Sequence, residues 1–187
     1  MNKTMILLVI CSSLALGGCG QKEPIKIGFI GGLTDRNSDN GQSGLNGVIL
    51  AVEQFNRAGG VDGRLVELLP KDDAQDKAVA AKSSEELVAA QVEAVVGPFT
   101  SSMAQVIVPI TGAAGIFQVS PTITSMDFYG KDDNLFRINR TTRDNARDYA
   151  QVMVGMGQKV RSCRKIGCCG TWRLRGLGPH TASSWLG

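Results

Sequence analysis

Val95-Val96-Gly97-Pro98-Phe99-Thr100-Ser101-Ser102 is an apolar strand end, broken by Gly-Pro and followed at once by hydroxyls at the start of a helical pattern. Reading backward, the strand begins near Val92. Reading forward, a helix is expected over about 102–113, with Pro109 kinking it or starting its last turn afresh. The same alternation runs on both sides. Ile25–Ile30 reads as a buried strand entering a Gly-Gly turn, and residues 42–57 set Leu45, Val48, Ile49, Val52 and Phe55 on one helical face before Gly59-Gly60. Arg64–Leu69 is a second strand. The Lys71-Asp72-Asp73 turn leads from it to a helix over about 75–90. Ile116–Val119 and Leu135–Ile138 are further strands, and residues 142–156 a last helix. Such alternation indicates βαβ units, an α/β fold and a mostly parallel sheet. Ligands of such sheets sit at the carboxyl ends of the strands, which directs attention to loops 31–41, 97–102 and 120–127.

Composition narrows the function. The chain has 187 residues, a formal net charge of +3 and 43% hydrophobic residues, which fits one folded domain and excludes a disordered chain. The positive charge is local: residues 161–187 hold five basic residues and no acidic one, while residues 1–160 hold 15 basic against 17 acidic. No nucleic-acid surface is therefore implied for the body. Residues 20–160 contain neither Cys nor His, and no paired carboxylates lie in the hydroxyl-bearing loops, which argues against an enzyme. Cys163, Cys168, Cys169 and His180 match no usual ligand spacing, so no metal and no cofactor are expected.

The amino terminus reads as an address. Met1-Asn2-Lys3 is a short positive region, and the apolar run Met5–Leu16 is too short to span a bilayer comfortably. Leu16-Gly17-Gly18-Cys19 resembles the bacterial lipobox. Residues 1–18 are thus a lipoprotein signal peptide and residues 19–24 a tether lipidated at Cys19. The chain is expected to be exported and anchored to a membrane, in the periplasm or on the cell surface.

The three loops suggest what is bound. Thr100 or Ser101 can cap the helix that follows, and the helix-terminal N–H groups with the Ser101 hydroxyl would cradle a small anion such as a carboxylate. Ser120-Pro121-Thr122-Ile123-Thr124 leaves a neighbouring strand with more hydroxyls. Neither of these two loops carries a charge, which suits a zwitterion better than a phosphate ester. Loop 31–41 is neither a P-loop nor a dinucleotide fingerprint.

Ile25-Lys26-Ile27-Gly28, the run Ala51–Arg64, Lys71-Asp72-Asp73, Val96–Ser102, Val119–Thr122 and Leu135-Phe136-Arg137 stand in the order and spacing of a known family. Over about residues 25–160 the chain resembles the periplasmic branched-chain amino-acid-binding proteins. The resemblance implies a type I periplasmic binding fold, with two α/β lobes that close on a ligand and present it to the membrane subunits of an ABC importer. It places Ser101, with Thr100 beside it, at the ligand carboxylate. It also places the Thr122 carbonyl and the Thr124 hydroxyl at the ammonium and carboxylate. Asn40 falls where several members have an aromatic residue over the ligand, a departure that leaves the side chain recognised open.

The family has about twice this length, because a second lobe follows the first. Residues 25–160 are read as the N-terminal ligand-binding lobe alone. Residues 161–187 are read as an irregular, aberrant tail, out of frame with the family pattern. The sequence is thus expected to be a truncated substrate-binding component of an importer for amino acids or related small polar ligands. The alternatives are a ligand-sensing receptor on the same fold, or a non-functional fragment of a binding protein.

Overall fold

The computed structural model describes residues 22–34, 38–156, 160–166 and 171–176. The leader and Cys19 lie outside the described residues. Strands β1 (Ile25–Gly31), β2 (Val66–Asp72), β3 (Ala94–Val96), β4 (Phe117–Ser120) and β5 (Leu135–Arg137) form one sheet in the order β2-β1-β3-β4-β5. Every pairing in it is parallel. Helices α1 (Asp39–Arg57), α2 (Lys77–Ala89) and α3 (Ser101–Ala113) each cross between two consecutive parallel strands, and α4 (Thr142–Gly155) follows β5. A short 3₁₀ turn at Met126–Phe128 precedes β5. Among the described residues no helix is long and apolar enough to cross a membrane.

The core lies on one face of the sheet. Ile30 and Val95 from the strands meet Leu87 of α2 and Met103 and Ile107 of α3, all buried. Ala104 and Val108 continue that layer toward Ile123, Phe128 and Leu135. Each large aliphatic side chain buried here contributes about 1.5–3 kcal/mol. Gly28 faces the same layer, and an added Cβ would stand 3.1 Å from Leu87 and Val95.

The opposite face is only half covered. Helix α1 packs on β1 and β2, yet its apolar stripe does not form a second core: Gly41 is its one buried residue, and Phe55 is 56% exposed. A cavity of about 510 Å³ lies under it, lined by side chains such as Ile25, Val48, Val52, Phe55, Val96 and Phe99. The register sets Ala94, Phe117 and Phe136 on this face. Among the described residues no helix covers Phe117 and Phe136, which are 49% and 58% exposed.

Two local expectations meet different outcomes. Helix α3 runs unbroken through Pro109 instead of restarting there. Pro109 and Gln105 are both exposed, so water can satisfy the carbonyl that loses its donor. Within the stretch expected to be irregular, β6 (Val160–Ile166) pairs antiparallel with β7 (Thr171–Gly176). Backbone pairing of two short segments needs no apolar face, so hydropathy carries no sign of it.

Candidate functional site

The sheet reverses its order between β1 and β3, the place where open α/β sheets bind ligands. The backbone there is packed too closely for side chains. Gly97 has φ +128° and an added Cβ would stand 2.1 Å from the Ile30 carbonyl oxygen, while one at Gly41 would stand 1.9 Å from that of Gly32. The loops after β3 and β4 are joined by direct bonds. Ser120 Oγ donates to the Pro98 carbonyl at 2.7 Å, and Thr122 Oγ1 donates to that of Phe99 at 2.6 Å. The two hydroxyl-bearing loops are therefore one surface.

Helix α3 opens onto that surface. The Ala104 N–H bonds the Thr100 carbonyl at 3.0 Å, so the N–H groups of Ser101, Ser102 and Met103 precede the first helical bond. Thr100 has the extended backbone of a capping residue but makes no side-chain cap, contrary to the expectation that Thr100 or Ser101 closes this end. Its hydroxyl donates to Gln75 Oε1 at 3.0 Å instead. Ser101 is 7% exposed, and among the described residues its hydroxyl has no hydrogen-bond partner.

Thr122 and Thr124 divide their polar groups in opposite ways. The Thr122 hydroxyl is used by Phe99, while its carbonyl receives only the Asn139 amide at 3.4 Å. The Thr124 carbonyl accepts from the N–H and Oγ1 of Thr142 at 2.9 and 2.8 Å. The Thr124 hydroxyl has no partner among the described residues. The Thr122 carbonyl thus carries one long bond and the Thr124 hydroxyl none among the described residues. Asn40 is exposed in the first turn of α1. Among the described residues no hydrogen bond joins it to the other four, and the loop before it includes positions outside the described residues.

The rim is braced by Asp72 and Asp73, which the sequence marks as a turn and as part of the family resemblance but not as site residues. The Asp72 carboxylate accepts from the N–H groups of Leu33 and Ala74, both at 2.8 Å, and from the Thr34 hydroxyl. Burial alone would raise its pKa, but these bonds outweigh burial and hold it below the ordinary carboxylate value. Asp73 is fully buried and accepts from both the N–H and the Nε2 of Gln75. Loops 97–102 and 120–125 carry no charged side chain, so the surface offers neutral donors and acceptors and no proton-transfer pair. Among the described residues no cluster of His, Cys, Asp or Glu could hold a metal ion.

A model of the periplasmic binding protein family matches residues 24–170. The chain belongs to the periplasmic binding protein family. Its five-stranded parallel sheet is one lobe of the type I fold. Among relatives of this binding-protein lobe, the Leu/Ile/Val-binding protein BraC3 of Rhizobium johnstonii is 30% identical over 127 residues, 68% of this chain and 34% of that protein. The Leu/Ile/Val-binding protein of Escherichia coli K12 is 28% identical over 140 residues, 75% of this chain and 38% of its own length. The branched-chain amino acid transporter substrate-binding protein LivJ of Streptococcus pneumoniae, solved in complex with isoleucine, superposes with a TM-score of 0.61 at 34% identity. It covers 64% of this chain and 34% of its own. The chain spans little more than a third of the length of these relatives.

Proposed function

We propose that this lobe belongs to the substrate-binding component of an ABC importer, taking a branched-chain amino acid or a related small carboxylate. The observation that carries the reading is the uncapped start of α3, where its first N–H groups meet the Ser101 hydroxyl, which has no partner among the described residues although the residue is 7% exposed. In this reading the ligand carboxylate sits on those N–H groups and on Ser101 Oγ, favoured by the positive end of the helix dipole. The Thr124 hydroxyl donates to the same carboxylate, and the ammonium donates to the Thr122 carbonyl. Thr100 shapes the loop, and Asn40 stands at the mouth, where a polar residue in place of an aromatic one leaves the ligand side chain less covered. The relatives' names and the isoleucine complex support an aliphatic amino acid as the first ligand to test.

The protein binds and hands over; it does no chemistry on the ligand. Export under the leader and acylation at Cys19 would hold it beside the importer's membrane subunits. One lobe leaves its ligand wet on the side a second lobe would close, so its affinity is weak, roughly millimolar. Saturation-transfer NMR tests the reading, with L-isoleucine, L-leucine and L-valine each compared with its own primary amide. The free acids should receive transfer and the amides should not. Equal transfer to acid and amide would remove the carboxylate cradle from the account.

A further inference from the structure

At the start of α3 the capping residue is bonded to a residue two strands away. Asp76 and Thr141, at the same capping position on α2 and α4, accept from backbone N–H groups of their helices. Thr100 has the matching backbone, φ −128° and ψ 146°, but its hydroxyl is turned aside to Gln75 Oε1. Gln75 is held in turn: its N–H and Nε2 both donate to Asp73 Oδ1 at 2.9 Å. Gln75 follows β2 and Thr100 follows β3, with β1 lying between those strands. The bond therefore bridges about two strand spacings, roughly 10 Å. Ala74 and Gln75 both adopt positive φ, +46° and +52°, a conformation uncommon for residues with side chains.

We propose that Gln75 is a positioning residue that holds the Thr100 hydroxyl off the N–H groups of α3 and so keeps them open to a ligand carboxylate. The proposal rests on the reading of that site given above. Without Gln75, the Thr100 hydroxyl keeps only its 3.3 Å contact with Ser102 Oγ and can swing back to accept from Ser102 N–H or Met103 N–H, as threonine caps do. The ligand would then compete with an internal cap, whose usual strength corresponds to a roughly fivefold change in equilibrium.

The test is residue-resolved amide hydrogen exchange on the ligand-free chain and on two variants. Gln75→Met keeps the length of the side chain and removes the acceptor amide. In that variant exchange at Ser102 and Met103 should slow by roughly fivefold. In Gln75→Met/Thr100→Val the Thr100 hydroxyl is gone, and the wild-type rate should return. Unchanged or faster exchange in Gln75→Met overturns the proposal, because a merely structural role for Gln75 loosens the helix end. A titration with L-isoleucine adds the functional arm, with Gln75→Met binding about fivefold more weakly than wild type. If L-isoleucine shifts no resonance of the wild type, the carboxylate site itself is refuted, and the exchange rates alone decide whether Gln75 restrains Thr100.

Discussion

The Thr122 hydroxyl donates to the Phe99 carbonyl at 2.6 Å, and this bond makes one surface of two loops that follow different strands. Thr122→Val removes the donor while keeping the side chain's shape. It should cost roughly 1 kcal/mol, because a half-buried carbonyl loses its partner. Thr122→Ser should retain most of that stability. Thermal melts of the three proteins measure it: the valine variant is expected to melt lower and the serine variant close to wild type.

Two glycines make opposite predictions. At Gly97 an alanine meets both a positive φ and a carbonyl oxygen 2.1 Å from its Cβ. Gly97→Ala should therefore destabilise by about 3 kcal/mol or more. At Gly47, in mid-helix, nothing lies within 4 Å of an added Cβ. Gly47→Ala should stabilise by roughly 0.5–1 kcal/mol. Urea unfolding midpoints distinguish the two, one falling and the other rising.

These contrasts mark what the sequence discloses. Apolar runs placed all five strands of the main sheet and the four helices to within a few residues, because burial of Ile30, Val95 and Ile107 imposes its period on the chain. The amphipathic stripe of α1 is equally clear in the sequence, but periodicity cannot say whether a partner covers it. Phe55, Phe117 and Phe136 stay exposed. At the site, hydroxyl-rich strand ends pointed to Ser101, Thr122 and Thr124. Gln75 carried no such signal. Its reach to Thr100 depends on two positive φ values and on β1 lying between the two strands, neither of which hydropathy encodes.

Acid should loosen the rim at Asp72. Its pKa in the folded chain lies below the ordinary value of 3.8, burial being outweighed by the bonds from Thr34, Leu33 and Ala74. A lowered folded pKa adds stability that is full above the unfolded value and is lost as the pH falls through the folded one. Asp72→Asn should thus be less stable than wild type by roughly 1 kcal/mol near neutral pH, a modest figure because much of the group is solvated. The two proteins should converge in strong acid. Chemical denaturation of both across the acid range measures the convergence, and a constant gap would rule the carboxylate out as its source.

Cys19→Ser should release the exported chain from membranes, because the substitution removes the thiol that would carry the lipid. Fractionation of cells expressing each form reads this directly. Serine and cysteine forms that sediment alike would contradict lipidation.

The central claim is that a carboxylate binds where α3 begins. Its most direct measurement is a ¹⁵N–¹H titration of the chain with L-isoleucine, followed residue by residue and repeated with L-isoleucinamide. The account predicts saturable shifts, roughly in the millimolar range, centred on Ser101, Ser102, Met103, Thr122 and Thr124, with the amide producing none of them. Shifts confined to Val48, Val52 and Phe55 beneath α1, or the same pattern from acid and amide, would contradict it.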